Sequence, residues 1–324
     1  MPEVTMAQAL NHGLRFALEN DERVLVFGED IGKLGGVFRI TDRLQADFGD
    51  ERVFDTPLAE SGILGISVGL ALAGWKPVSE IQFDAFSYPA LDQVISHVGK
   101  YRFRSAATLS MPIVMRIPCG GGIGAAEHHS ESPETYYAHT SGLKVVIPST
   151  PADAFNLLVR SIRDPDPVIF LEPKSRYWSK EDVDLEPNGL PIGRARIARE
   201  GRHATLVAWG GMVARCLETA RAAEEDGVDL EVVDLRSLVP LDVETVVDSA
   251  RKTGRVVVVH EAPMTAGFGA EVVARVVEDA FDSLEAPVLR VTGYDLPYPP
   301  ATVEEHYLPS VDRILVALER VLNF

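Results

Sequence analysis

Short apolar runs alternate with amphipathic stretches along the whole chain, and the alternation falls into two blocks. In the first block VLVFGE, VSEIQFDA, MPIVMRIP, LKVVIPST and PVIFLEP are strand candidates, and helical periodicity begins near Thr5, Glu60, Pro89 and Thr150. In the second, ATLVAW, LEVVDLRS, RVVVVHE and VLRVTG alternate with helical patterns after Gly211, Asp242 and Gly269, and a last helix follows Pro309. A βαβα rhythm predicts parallel sheets covered by helices, so both blocks are expected to be α/β. Thr150-Pro151 supplies an N-cap followed by proline at the first helical position, and Pro309-Ser310 precedes VDRILVALERVL in the same way. The polar, proline-containing stretch Ser179 to Pro191 has the composition of a linker. The expected organisation is a domain over 1–180, a linker over 181–200 and a second domain over 201–324.

A length of 324 residues has room for about two domains with buried cores. Lys and Arg number 31 against 48 Asp and Glu, and the resulting charge of −17 repels phosphate backbones, which argues against nucleic acid and for a basic protein partner. Cys119 and Cys216 form no CxxC and no disulfide framework, which fits a reducing, cytoplasmic compartment. The opening MPEVTMAQALNHGLRFALENDE reads as an amphipathic helix rather than a secretory leader. The longest uncharged apolar run, Ser61 to Trp75, is shorter than the ~20 residues of a membrane span and is expected as a buried helix.

Several motifs bear chemistry. Gly65-Ile66-Ser67-Val68-Gly69 matches the GxSxG nucleophile elbow but lies inside a helical run, where Gly62, Gly65, Gly69 and Ala73 form a small-residue stripe suited to close approach of another helix. Gly120, Gly122 and Ala125 imitate a dinucleotide fingerprint, yet HHSESPETYY follows instead of a long apolar helix, so a turned loop is expected. His128, His129 and His139 lack a companion set of zinc ligands, which leaves solvated loop positions or proton transfer. Glu60 opens the most apolar helix and is either a helix-end carboxylate or one whose proton affinity is raised beside an apolar wall. Phe83, Phe86 and Tyr88 follow a strand and either pack in the core or line a pocket for a flat ligand.

The order and spacing of FGEDIGKLGGVF, RVFDTPLAESGILG, EIQFDAFSYPALDQVISHVGKYRFRS, HHSESPETYYAHTSGLKVVIPSTPADA, DPDPVIFLEPK, VVDLRSLVPLD and VTGYDLPYP resemble one family over nearly the whole chain. That family is the beta subunit of the thiamin-diphosphate-dependent 2-oxo acid dehydrogenases. The resemblance implies a transketolase-like pyrimidine-binding domain followed by a transketolase C-terminal domain, in an α2β2 heterotetramer with active sites between α and β chains. It implies that Glu60 hydrogen-bonds the aminopyrimidine, that Glu29, Leu58, Ala59, Gln82 and Phe86 surround the cofactor, and that Phe83, Tyr88 and His129 face the substrate. His129 would be the catalytic histidine; His128 falls where relatives vary and receives no role. Asp164 and Asp166 align with a loop that binds structural potassium in some relatives, while their plain reading is a turn before a strand.

Single-chain relatives carry a GDG motif with a later asparagine that ligates magnesium diphosphate. Here Gly49-Asp50-Glu51 departs from it, so the diphosphate and magnesium are expected on the α chain. HHSESPE and IQFDAFSYP resemble enzymes for branched-chain 2-oxo acids such as 2-oxoisovalerate; pyruvate or acetoin is the runner-up, and a non-catalytic assembly subunit the reading from another class. The family also docks on the subunit-binding and lipoyl domains of a dihydrolipoyl acyltransferase core.

Overall fold

A computed structural model describes residues 1–324. In chain order the first strands are β1 (Glu3–Thr5), β2 (Val24–Gly28), β3 (Val53–Asp55), β4 (Lys76–Glu80), β5 (Val114–Cys119), β6 (Lys144–Val146) and β7 (Val168–Pro173). They are followed by β8 (Lys180–Asp182), β9 (Arg196–Arg199), β10 (Ala204–Ala208), β11 (Leu230–Asp234), β12 (Ser237–Val239), β13 (Val256–Pro263) and β14 (Leu289–Gly293). Two main sheets result, ordered β12-β6-β7-β5-β4-β2-β3 and β14-β13-β10-β11-β9. Both are parallel except at one edge, where β12 runs antiparallel to β6 and β9 antiparallel to β11. Strands β2, β5, β7, β10 and β11 are fully buried, as sheets covered by helices on both faces require.

Helix starts obey local chemistry. Thr5 caps helix Met6–Asn20 in a reciprocal box with Gln8, and the Thr150 hydroxyl accepts from the Asp153 amide at 3.2 Å above Pro151. Asp242 and Ser310 cap helices Val243–Thr253 and Val311–Leu322 in the same manner. One core lies between the first sheet and helices Met6–Asn20 and Pro151–Arg163. Another lies under helices Gly211–Glu225 and Val311–Leu322 of the second sheet, and the largest runs through both sheets and joins them.

Three features differ from the sequence reading. The helix expected near Pro89 is irregular: a 3₁₀ segment Ala85–Ala90 holds the proline, and Leu91–Gln93 leads into a π turn Val94–Val98. The run Ser61 to Trp75 forms helix Glu60–Leu72, but only one face is buried; Gly62, Gly69, Ala73 and the half-exposed Ile66 form an uncovered apolar face. Ser67 is buried and its hydroxyl donates to the Ile63 carbonyl at 2.8 Å, so it is no nucleophile. Segment 181–200 holds more than free chain: β8, which pairs with β1, reaches into it, and β9 edges the second sheet. Strand β12 crosses back from the second half to the first sheet and ties the two blocks together.

Candidate active site

In a parallel sheet the carboxyl ends of the strands lie on one edge, and loops leaving that edge build a site. Glu29 and Asp30 follow β2, Leu58 to Glu60 follow β3, Gln82 to Tyr88 follow β4, Gly120 to Ser130 follow β5 and Lys174 follows β7. The residues singled out for cofactor and substrate therefore leave the same edge of the first sheet, whereas Asp164 and Asp166 precede β7 at the other edge.

They form two groups. The first is acidic: Glu29 and Glu60 are both buried, and one Glu29 oxygen, Oε1, has no hydrogen-bond partner. Burial, then the neighbouring charges of Glu60 and Asp30, raise the Glu29 carboxyl above the usual range. Glu60 is the first residue of its helix, and no side chain makes a capping bond there. Its position at the positive end of the helix still favours a carboxylate. Gln82 Nε2 donates to Asp30 Oδ2 at 3.0 Å and so braces the outer rim. Leu58, 77% exposed, and Ala59 stand on the open side of Glu60.

The second group is aromatic. The His129 ring lies 4.0 Å from Phe83 and 5.2 Å from Phe86, and the two phenylalanines meet edge to face at 5.8 Å. His129 Nδ1 is buried without a partner. Burial first, then His128 and Lys174, lower its pKa, so the imidazole is neutral at physiological pH and able to accept a proton. His128 is exposed and lies 6.0 Å from Phe86. Tyr88 stands apart: its hydroxyl donates to the Glu131 carboxylate and its ring packs edge to face on Tyr136 at 5.7 Å.

Beneath this surface lie charges that the sequence reading missed. Arg116 on β5 is fully buried and bridges Glu80 Oε2 at 2.7 Å and Glu172 Oε1 at 2.7 Å, with the Tyr177 hydroxyl donating to Glu172 at 2.7 Å. Lys174 and Asp84 form a second buried pair, with the ammonium 6.0 Å from the centre of the Phe83 ring. These residues sit within strand-like strings whose apolar neighbours mask them. The available signal was that three adjacent strands each carry one charge near the same end, with Glu80 opposite Arg116 in register.

Asp164 and Asp166 do not fit a potassium site in this arrangement. Lys144 Nζ lies 2.7 Å from Asp164 and 3.1 Å from Asp166, and Arg102 pairs with Asp166 at 2.7 Å, so both carboxylates are already matched by cations. The Asp166 amide donates to Asp164 Oδ1 at 2.9 Å, the turn that the plain reading expected. Nowhere do three or more His, Cys, Asp or Glu side chains converge as a metal centre would need. No helix is long and apolar enough to cross a membrane.

Comparison with known proteins agrees with this layout. Residues 2–179 match the transketolase pyrimidine-binding domain and residues 193–314 the transketolase C-terminal domain. The chain is 55% identical to the pyruvate dehydrogenase E1 component subunit beta of Leifsonia xyli, over 98% of this chain and 95% of that protein. It is equally 55% identical to the 3-methyl-2-oxobutanoate dehydrogenase subunit beta of Mycobacterium tuberculosis, over 99% and 92%. Identity to the 2-oxoisovalerate dehydrogenase subunit beta of Pseudomonas aeruginosa is 46%, over 99% and 95%. A split-gene transketolase, solved as an inactive beta4 tetramer, superposes with a TM-score of 0.80 over 99% of this chain and 98% of that one at 23% identity, a likeness of fold. A pyrimidine-binding domain whose strand ends gather an acidic pair and an aromatic–histidine wall, continued by a transketolase C-terminal domain, places this chain in the beta-subunit family of the thiamin-diphosphate-dependent 2-oxo acid dehydrogenases.

Proposed function

We propose that this chain, assembled with an α subunit, oxidatively decarboxylates a branched-chain 2-oxo acid of the 2-oxoisovalerate type and passes the acyl group to a lipoyl group on a dihydrolipoyl acyltransferase. The observation that carries the reading is the pairing of Glu60, free of any capping bond, with Glu29, whose buried oxygen has no partner, next to the wall of Phe83, Phe86 and His129. An unsatisfied buried oxygen such as Glu29 Oε1 fits a polar ring edge that arrives with a ligand. These residues fit thiamin diphosphate, which when bound supplies the electron sink for loss of carbon dioxide.

The roles of this chain's residues follow from their chemistry. Glu60 holds a proton against the pyrimidine nitrogen N1′, and Glu29, whose proton affinity is raised, stands behind it as a neighbouring proton store. Phe86, Leu58, Ala59 and Gln82 give the ring an apolar bed with a polar rim, and Phe83 limits the space for the substrate's side chain. Neutral His129 takes a proton from the incoming lipoyl thiol and, once protonated, returns it at the reacting carbon's oxygen. Tyr88 acts indirectly, through its bond to Glu131 at the base of the loop that carries His129. The diphosphate and its magnesium ion fall to the α chain, because the GDG pattern is absent here.

The branched-chain choice rests on the HHSESPE and IQFDAFSYP strings; pyruvate differs from 2-oxoisovalerate by methylene groups worth only ~1 to 3 kcal/mol each, and acetoin is the other runner-up. The acidic second domain offers a surface for a basic subunit-binding domain, with Glu285 60% exposed although paired to Arg255 at 2.6 Å. The assembled enzyme is assigned to the cytoplasm. The test is dye-linked turnover of a series of 2-oxo acids by the purified chain, alone and with its α subunit. Turnover is expected only for the assembly and fastest on 2-oxoisovalerate. Activity of the chain alone refutes the division of labour, and an assembly inert on every 2-oxo acid supports the assembly-subunit reading instead.

A further inference from the structure

The segment CGGGIG makes a poor dinucleotide fingerprint, and the fold gives its glycines another occupation. The loop leaves β5 and returns at Glu131, where the Gly120 amide donates to the Glu131 carbonyl at 2.7 Å and closes it at the base. Gly120, Gly122 and Gly124 have φ of +77°, +87° and +68°, and in the chain they bend the amides of Gly121, Gly122 and Gly124 face the second domain. A chain bent in this way exposes a row of N–H groups that binds an anion.

The acceptors come from the same chain, 140 residues away for Glu261 and 182 for Glu304. Glu304 is buried at the start of the short helix Glu304–Tyr307; its Oε1 accepts from the Gly122 amide at 2.8 Å and its Oε2 from the Gly124 amide at 3.0 Å. Glu261 on β13 accepts from the Gly121 amide through Oε2 at 3.0 Å. The Tyr298 hydroxyl donates to Glu304 at 2.6 Å and lies so close to Gly121 that a Cβ there would sit 1.7 Å from it. Neither carboxylate has a Lys or Arg partner within salt-bridge distance, so peptide N–H groups are their principal counterparts. Five residues beyond Gly124 the loop carries His129 into its contact with Phe83 and Phe86.

We infer that Glu304, seconded by Glu261, is a positioning residue for His129: the second domain clamps the glycine loop, chiefly through the two amide bonds accepted by the Glu304 carboxylate, and thereby holds the imidazole against Phe83. Charge-assisted bonds to N–H groups are short and about twice as strong as neutral ones, and two of them from one carboxylate fix direction as well as distance. The inference rests on the reading of His129 as a reacting group, and it extends the active site to a domain that contributes no residue to the acidic or aromatic groups.

The test uses the assembled enzyme with its α subunit, thiamin diphosphate and magnesium. Glu304→Gln replaces one accepting oxygen with an amide nitrogen that cannot receive the second glycine N–H. Amide hydrogen exchange over residues 120–130 is expected to accelerate at least about tenfold, while the rest of the chain keeps its protection. The rate of lipoyl-domain acylation should fall about tenfold relative to dye-linked decarboxylation, with KM for the 2-oxo acid within about twofold, because a misplaced proton-transfer group affects the step that needs it. A loss of folded enzyme would lower both rates in parallel, and that outcome overturns the positioning role. Unchanged loop exchange in the folded variant overturns the clamp. If Glu304→Gln does not assemble, Glu304→Asp serves: it keeps the charge but reaches one amide, so the same changes are expected in smaller measure, and their absence overturns the inference. Faster loop exchange in an assembly whose wild type turns over no 2-oxo acid supports the clamp and refutes the assigned reaction.

Discussion

Glu134 offers a measurement in which sign and size both come from the structure. It is 2% exposed and packed between the two sheets, where its Oε1 accepts only a long 3.3 Å bond from Trp209 Nε1. Burial, with a smaller push from Glu261, raises its pKa from 4.5 to about 7. A folded pKa above the unfolded one means that the native state binds the proton more tightly, so the stability it contributes is present below pH 4.5 and is lost as pH rises towards 7. Each tenfold gain in proton affinity is worth about 1.4 kcal/mol, which makes the whole loss about 3 kcal/mol. Glu134→Gln keeps the acceptor for Trp209 and cannot ionise. Between pH 5 and pH 8 the variant should therefore gain about 2 to 3 kcal/mol on the wild type, read as an increase of about 1 M in the urea midpoint. The remaining titrating groups are common to both proteins, so the difference isolates this carboxyl, apart from the small relief of Glu261. A stability difference that is equal at both pH values, or larger at pH 5, refutes the reasoning.

Three further outcomes are expected. Glu60→Gln should leave the far-ultraviolet circular dichroism unchanged yet slow deuterium exchange at the cofactor's C2 carbon by at least about 10²-fold, since an amide cannot share the proton; an unchanged exchange rate removes Glu60 from its role. His129→Ala should lower lipoyl acylation about 10²-fold and His128→Ala less than about threefold, because only the first ring touches Phe83; equal losses point to collapse of the loop. Arg116→Met strips the cation from between Glu80 and Glu172 and should destabilise the chain by about 3 to 5 kcal/mol in thermal or urea unfolding, with most of the loss recovered when both glutamates are also changed to Gln. Failure of that recovery would show that packing, not uncompensated charge, dominates.

Most of the long elements are legible in the sequence because their signals are local. The buried strands β2, β5, β7, β10 and β13 are mainly apolar runs, and the helices after Thr150, Asp242 and Ser310 announce themselves through a capping side chain that reaches the amide three residues on. What escapes is short or set at a distance. β1, β8 and β12 are three-residue strands whose existence depends on a partner far away in sequence, and nothing in EVT or SLV marks them as strands. The Pro89 region departs from the expected helix because it is a succession of 3₁₀, α and π turns, and no single hydrophobic period describes all three.

The candidate site divides along the same line. Glu60, Phe83, Phe86 and His129 lie in strings whose order identifies them, and the sheet's parallel topology makes their convergence necessary once the strands are placed. The groups that hold them are different in kind. Arg116 is identifiable only when Glu80 and Glu172 are seen on the strands at either side, because a buried cation is tolerated only with its anions in contact. Lys174 is explained only by Asp84, 90 residues earlier, and the glycines at 120–124 only by Glu261 and Glu304. Each of these pairs has one member whose burial would be strongly unfavourable without the other, so the support of the site is carried by contacts between distant segments. A substitution in any one of these supporting residues should therefore register first as altered placement of Phe83 or His129, even though the substituted side chain never meets the substrate.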